Sequence, residues 1–145
     1  MGKLSSREIS ELLSRPIISF ITTLNQDGSP HTSPVWHMMR DGKALVATGS
    51  STVKAENIAN DSRVSLVVAA DRGHGISASP QPWVQVNGKA FLSRPNDIDE
   101  IVVDLAHHYM DPDKAAEYSE EILGQVDFVL IQIYPTKVLG FDGED

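Results

Sequence analysis

Apolar and polar residues alternate along most of the chain up to residue 94, which is the pattern of half-buried β-strands. Asp41-Gly42 is a tight turn of the kind that joins antiparallel strands, and Asn87-Gly88 is among the strongest short hairpin signals. The pattern therefore predicts a three-stranded meander over residues 17–24, 31–40 and 43–49. A fourth strand follows over 63–71, and a hairpin over 83–86 and 89–94.

Helical spacing replaces this alternation at both ends of the chain. Ser5 and Glu8 form a capping-box pattern ahead of a short apolar stripe that Pro16 ends, which predicts a leading helix. Apolar residues at helical spacing predict a longer helix that Asn96 caps, and a further helical piece follows over 111–123.

A last alternating stretch, residues 126–135, predicts another strand. Six or seven short strands with antiparallel turns and a late helical insertion indicate a mainly β fold with helices, in the α+β sense, built as a small closed or half-open barrel. The chain contains no internal repeat and no linker, so we expect residues 1–145 to form a single domain.

Composition narrows the possible functions. The chain has 145 residues, 41% of them hydrophobic, and a net charge of -8, so its surface repels nucleic acid. It has 0 cysteines, which excludes disulfides, thiolate nucleophiles and cysteine-bound metals, so any redox chemistry needs a cofactor. No apolar run approaches the ~20 residues that span a bilayer, and the N-terminus lacks a signal-peptide core. We therefore expect no membrane partner and a cytoplasmic location.

The stretch "VATGSSTVKAENIANDSRVSL", residues 46–66, reads as strand, hydroxyl-rich turn, helix and strand. Unpaired backbone N–H groups at a helix start attract anions, and the helix dipole disfavours a cation there unless an anion lies between them. Lys54 stands in this position, with Asn57 three residues on along the same helix. The segment thus predicts a phosphate site; the alternative is that Lys54 is a solvated lysine and the serines are caps.

Together with the preceding "ISFITTLNQDGSPHTSPVWHMMRDGKALVATG", this segment resembles the pyridoxamine 5'-phosphate oxidase-like split barrels, especially their flavin and deazaflavin (F420) oxidoreductase branch. The resemblance covers most of the chain. It implies a homodimer whose two cofactor sites lie at the subunit interface and use residues of both chains.

The resemblance also implies roles for individual residues. The cofactor phosphate would be held by Thr48, Ser50, Ser51 and Lys54, with support from Asn57. The ring system would lie along the strand backbone at Pro34, Val35 and Trp36, with His37 close by. From the partner chain, the ring would be closed over by Trp83 and Gln85.

The cofactor implied by the resemblance is F420, with FMN as the alternative. Several deazaflavin-binding relatives carry an arginine just before the lysine, where this chain has Thr52 and Val53, so the phosphate site has fewer charges. Contacts to the F420 tail could come from Arg63, Arg72 and Lys89 on neighbouring strands. A monophosphate such as that of FMN needs only hydroxyls and one lysine.

The expected reaction is a hydride transfer between the deazaflavin and an activated alkene, a quinone or a tetrapyrrole. The alternatives are an FMN-dependent oxidase or reductase, and a non-catalytic carrier of a cofactor or haem. The chemistry demands no catalytic side chain. A proton donor, if one is used, would be His37 or Tyr109; the alternative is that His37 is an ordinary strand residue and Tyr109 a core residue.

Two further features carry expectations. His107-His108 predicts no metal site, because adjacent helix residues point in different directions. The Gly- and Pro-rich segment 71–82 is either a surface loop or a lid over the pocket.

Overall fold

A computed structural model describes residues 2–70 and 81–143 of the protein. Seven strands and four helices follow one another along these residues. The elements are α1 (Ser6–Ser14), β1 (Ser19–Leu24), β2 (Pro30–Val35), β3 (Met38–Arg40), β4 (Lys43–Gly49), α2 (Val53–Asn60), β5 (Arg63–Ala69), β6 (Trp83–Ser93), α3 (Ile98–Tyr109), α4 (Pro112–Leu123) and β7 (Phe128–Phe141). The segment predicted as a loop or lid lies, over 71–80, outside the described residues.

The seven strands form one antiparallel sheet in the order β2-β1-β5-β6-β7-β4-β3. The edge strands β2 and β3 are nonetheless consecutive in the chain, and only Trp36 and His37 separate them. Because each Cα step spans about 3.8 Å, the two edges of the sheet lie at most about 11 Å apart where the chain crosses between them. The sheet therefore curls into a barrel with a split between β2 and β3, which confirms the predicted mainly β fold with helices.

The predicted three-stranded meander was wrong in one respect. Residues 31–40 do not form one strand between two neighbours. The strand is interrupted at Trp36-His37, and the two resulting strands, β2 and β3, lie at opposite edges of the sheet. The break is stabilised locally, because the His37 side chain is fully buried beneath the strand ends and its backbone N–H bonds to the Tyr109 hydroxyl at 3.0 Å.

The predicted hairpin at Asn87-Gly88 is also absent, since β6 runs through these residues as one strand. The ladder with β7 instead shifts its register between Asn87 and Gly88, as in a β-bulge. A Cβ on Gly88 would lie 3.0 Å from the carbonyl carbon of Tyr134 and closer still to its oxygen. A glycine is therefore needed here because β7 approaches closely, and not because the chain turns.

The helix starts follow the sequence signals closely. Ser5 and Glu8 make the complete capping box of α1, and Thr52 caps α2 by accepting a hydrogen bond from Ala55 N. The third helix begins one residue later than expected, after Asp97, whose side chain makes no capping hydrogen bond. No helix among the described residues is long and apolar enough to cross a bilayer.

Two apolar clusters hold these elements together. The larger one fills the barrel from both halves of the sheet, with Ile21, Leu66 and Ile133 fully buried. The smaller one packs α3 on β4 and β7 through Leu45, Ile101, Leu105 and Leu130. The α3–α4 pair is thereby fixed outside the barrel, beside the end of β2 and the start of α2, and this position creates a cavity.

Candidate functional site

A cavity of about 370 Å³ opens between the barrel wall, the start of α2 and the α3–α4 pair. Its volume falls in the usual range of small-molecule pockets. Strands β2, β4 and β7, the residue before β1, and three helices all contribute to its wall. The lining residues are Ile18, Pro34, Val35, Trp36, Ala47, Thr48, Lys54, Val102, Leu105, Tyr118, Ile122 and Phe128.

Lys54 provides the charge of this cavity. It is the second residue of α2, two positions after the Thr52 cap, where the helix offers N–H groups without intrahelical partners. The side chain is half-buried, and in residues 2–70 and 81–143 no carboxylate forms an ion pair with it. Burial lowers the pKa of the Lys54 ammonium below its ordinary value, because removal from water disfavours the charged form. An anion beside it would reverse this effect.

The hydroxyl groups near Lys54 differ in whether they face the cavity. Thr48 is buried and lines the cavity, with its Oγ1 3.2 Å from Thr52 Oγ1. Ser50 lies outside the lining: its hydroxyl donates to the Asp127 carboxylate at 2.8 Å, and Asp127 in turn pairs with Arg94. Ser51 is exposed. Of the three predicted phosphate-binding hydroxyls, the protomer therefore brings only that of Thr48 into the cavity.

Another side of the cavity is formed by Pro34 and Val35 at the end of β2 and by Trp36 directly after it. The resemblance assigns the cofactor ring to these residues, and that role stays a prediction. Two tyrosines contact the Trp36 indole. The ring of Tyr109 stacks on it at 5.1 Å between centroids with an interplanar angle of 8°, and the ring of Tyr118 is tilted by 59° at 5.7 Å. Strand backbone and an aromatic side chain thus form this side of the cavity.

His37 does not face the cavity. Its side chain is 0% exposed, its Nε2–H donates to the Leu13 carbonyl at 2.8 Å, and its Nδ1 accepts from the Ser19 hydroxyl. Burial lowers the pKa of this imidazole, so the ring is held neutral. In the protomer His37 is a structural residue joining α1 to β1, and the arrangement does not support its predicted role as proton donor.

Tyr109 is equally engaged. Its hydroxyl accepts from the His37 N–H and donates to the Ile17 carbonyl at 2.9 Å. Burial raises the pKa of this phenol, which makes it a poorer acid. Tyr109 therefore supports Trp36 from behind and has no free proton to donate into the cavity.

Asn57 also points elsewhere. Its side-chain amide is buried and donates to Thr23 Oγ1 at 3.0 Å and to Asn25 Oδ1 at 2.9 Å, so it ties α2 to the end of β1. Trp83 and Gln85 lie on the outer side of β6, where Trp83 contacts Phe141. The prediction assigned these last two residues to the site of a partner chain, which a single protomer does not test.

Sequence reasoning missed the helical wall of the cavity. Val102 and Leu105 come from α3, and Tyr118 and Ile122 from α4. The signal was present, because Tyr118 and Ile122 are four residues apart and share a face of α4, but this segment was interpreted as a solvated acidic helix. Among the described residues, no cluster of three histidine, aspartate or glutamate side chains is arranged to hold a metal ion.

The fold has close structural relatives. A conserved hypothetical protein of Mycobacterium tuberculosis superposes with a TM-score of 0.78 at 22% identity, over 97% of this chain and 86% of its own. An F420 reductase superposes with a TM-score of 0.67 at 20% identity, over 89% of this chain and 94% of its own. An FAD-binding protein of Mesorhizobium loti gives a TM-score of 0.68 at 19% identity, over 96% and 93%. At these identities the likeness shows the fold alone.

No curated protein matches the sequence. A family model does: the pyridoxamine 5'-phosphate oxidase model matches residues 5–140, which include every strand but the last residue of β7. The match covers the barrel, the start of α2 with Lys54, and both helices of the cavity wall. The chain therefore belongs to the pyridoxamine 5'-phosphate oxidase family.

Proposed function

We propose that this chain is an oxidoreductase that binds the deazaflavin F420 in the cavity at Lys54 and reduces a small organic acceptor there. The observation that carries the proposal is the half-buried ammonium of Lys54, which lines the cavity and has no ion-pair partner in the described part of the chain. A cation that has lost part of its hydration and has no counter-charge favours an anionic ligand.

The residues of the cavity fit such a cofactor in two respects. A phosphate group suits Lys54, Thr48 and the free N–H groups of the first turn of α2. A flat ring system suits the wall of Pro34, Val35 and Trp36, which offers strand backbone and an aromatic side chain. When bound, a deazaflavin supplies hydride chemistry that no side chain of this chain provides. The protein binds and orients the ring and excludes water with its apolar walls.

FMN is the second candidate, and one observation favours it. Lys54 is the only cationic residue that lines the cavity in the described ranges, whereas the tail of F420 carries several negative charges. Of the residues expected to contact this tail, Arg63 is held by Asp61 at 2.8 Å and Lys89 is exposed on β6; Arg72 lies outside the described residues. A monophosphate needs fewer cations than a polyanionic tail.

A second copy of the chain is part of the proposal. Ile18 lines the cavity and is 44% exposed, and Phe20, on the same side of β1, is 47% exposed. An apolar strip that continues the rim of the cavity suits an isologous partner, which would complete the site. Light scattering on the purified protein is expected to give the mass of a dimer, and Phe20→Asp is expected to give that of a monomer.

The decisive experiment compares two lysine variants. Lys54→Met and Lys114→Met remove the same charge from the first turn of a helix, but Lys114 is exposed on α4 and lies outside the cavity lining. Fluorescence titration with F420 and, separately, with FMN measures the dissociation constants. Loss of a charge-assisted hydrogen bond is expected to weaken binding about 5- to 150-fold in Lys54→Met only.

The outcomes separate the candidates. Tighter binding of F420 than of FMN supports the deazaflavin enzyme, and the reverse moves the protein to the FMN branch. Equal dissociation constants for the two lysine variants would return Lys54 to an ordinary helix residue and end the proposal.

A further inference from the structure

The helical wall of the cavity differs chemically from the rest of its lining. Val102, Leu105 and Ile122 are aliphatic, and Tyr118 brings the one polar group of this wall, its phenolic hydroxyl. The charged and hydroxyl-bearing residues Thr48 and Lys54 come instead from β4 and α2. The cavity therefore has a side that carries a cation and a hydroxyl, at Lys54 and Thr48, and a separate side where one phenolic hydroxyl is set among apolar residues.

The two tyrosines on Trp36 differ in freedom. Tyr109 is fixed, because its hydroxyl bonds to the Ile17 carbonyl and to the His37 N–H while its ring stacks on the indole. Tyr118 is 38% exposed, and its hydroxyl makes no hydrogen bond to any residue that the structure describes. A phenol that lines a cavity with an unused donor and access to solvent is able to bond to a ligand there.

The other hydroxyl groups and the imidazole near the cavity are already committed, and the Lys54 ammonium is assigned to the cofactor phosphate by the proposed function. The Thr52 hydroxyl donates to the Gly49 carbonyl at 3.0 Å, so at the 3.2 Å contact between the two threonines it is Thr48 that donates. The hydroxyl of Tyr109 and the ring of His37 are held by backbone carbonyls. In the described part of the chain, Tyr118 is thus the cavity hydroxyl whose proton is not engaged.

We propose that Tyr118 is a catalytic residue that donates a hydrogen bond, and then a proton, to the oxygen of a planar conjugated carbonyl acceptor such as a quinone or an enone. The proposal rests on the proposed function, because the acceptor receives its hydride from the reduced cofactor. The carbonyl oxygen gains negative charge as the hydride adds to the conjugated system, and it takes the phenolic proton of Tyr118. Water then reprotonates the phenolate, and the enol product tautomerises to the hydroquinone or to the saturated carbonyl compound as it leaves.

The acceptor class follows from the same wall. Trp36 and Tyr118 present two aromatic rings, and the neighbouring aliphatic residues carry no charge that would balance a carboxylate. An anionic acceptor would lose hydration on this side without gaining a partner, whereas a neutral conjugated ring gains aromatic contact. Neutral planar acceptors are therefore expected to be used in preference to small dicarboxylates such as fumarate.

Tyr118→Phe tests the proposal, because it removes the hydroxyl and keeps the ring against Trp36. Tyr134→Phe is the matched control: Tyr134 is 39% exposed on β7 and lies outside the cavity lining. Menadione binding to the cofactor-free proteins is followed by quenching of tryptophan fluorescence, cofactor binding by titration, and turnover with menadione in the loaded enzymes.

Tyr118→Phe is expected to bind menadione about 2- to 10-fold more weakly, as for loss of one neutral hydrogen bond, and to turn over about 100-fold more slowly. Its dissociation constant for the cofactor and its unfolding midpoint are expected to match those of the wild type, and Tyr134→Phe is expected to match it throughout. Equal quenching and equal turnover in the two tyrosine variants would overturn the role of Tyr118. Failure of the wild type to bind F420 or FMN would instead overturn the proposed function, which the titration detects separately.

Discussion

Replacement of Asn57 by alanine distinguishes a structural role from the cofactor-binding role that its position suggested. Asn57 shares a helix with Lys54, yet it is not a lining residue of the cavity, and its amide donates to Thr23 and Asn25 at the end of β1. We therefore expect Asn57→Ala to destabilise the protein and to leave the dissociation constant of the cofactor unchanged.

The magnitude follows from the two hydrogen bonds that are lost. Each contributes about 0.5–1.5 kcal/mol, and Thr23, which is 0% exposed, would keep a buried hydroxyl without its donor. The free energy of unfolding should fall by about 1–3 kcal/mol. Asn60→Ala, the same substitution at an exposed position of α2, should change it by less than about 0.5 kcal/mol.

The free energies of unfolding are measured by urea unfolding of the wild type, Asn57→Ala and Asn60→Ala. A double-mutant cycle adds Thr23→Val and the Asn57→Ala/Thr23→Val double variant. The coupling between Asn57→Ala and Thr23→Val is expected to be about 0.5–1.5 kcal/mol, since the first bond exists only when both side chains are present. Unchanged stability of Asn57→Ala together with a tenfold loss of cofactor affinity would refute this reasoning and restore the residue to the phosphate site.

Two further predictions concern the core. Burial lowers the pKa of His37 below its ordinary value of 6.5, so as the pH falls the imidazole becomes protonated in the unfolded chain before it does in the native protein. The free energy of unfolding should therefore fall as the pH drops from about 7.5 to 5.5. Urea unfolding of His37→Gln at both pH values should show a smaller fall; an equal fall would contradict the buried neutral ring. Gly88→Ala places a Cβ against the Tyr134 carbonyl and should cost about 1–3 kcal/mol in urea unfolding. Gly124→Ala is the control, because its added Cβ would lie 3.6 Å from the nearest atom. Equal stability of the two variants would contradict the prediction and would mean that β7 moves to accommodate the Cβ at position 88.

The Ser5–Glu8 capping box, which fixes the start of α1 through contacts three residues apart, was predicted correctly from the sequence. The predicted Asn96 cap was wrong by one residue, because α3 begins after Asp97. Asn87-Gly88 carries an equally strong local signal for a hairpin, but the glycine answers to the approach of Tyr134, far along the chain. Sequence spacing cannot distinguish a glycine that turns the chain from one that admits another strand.

The candidate site divides in the same way. Thr48, Lys54 and the 34–36 segment line one cavity, and it was the family resemblance that grouped them; the position of Lys54 at a helix start was the one local signal. The direction of the Asn57 side chain depends on the packing of α2 against β1, which no local pattern encodes. The wall that contains Tyr118 requires α4 to be folded back over the barrel by α3, and this is a tertiary contact.

The split between β2 and β3 is closed by peptide bonds through Trp36 and His37, and no hydrogen-bonded ladder joins the two strands there. A ladder can change its span only by slipping register, which turns every side chain to the other face. A covalent crossing has no register to keep. A change of chain length at this point would alter the distance between the ends of β2 and β3 without shifting the register of any strand pair, but it would also displace Trp36 and His37 from their contacts with Tyr109. The width of the split is therefore set by the packing of two side chains, and strand pairing leaves it free.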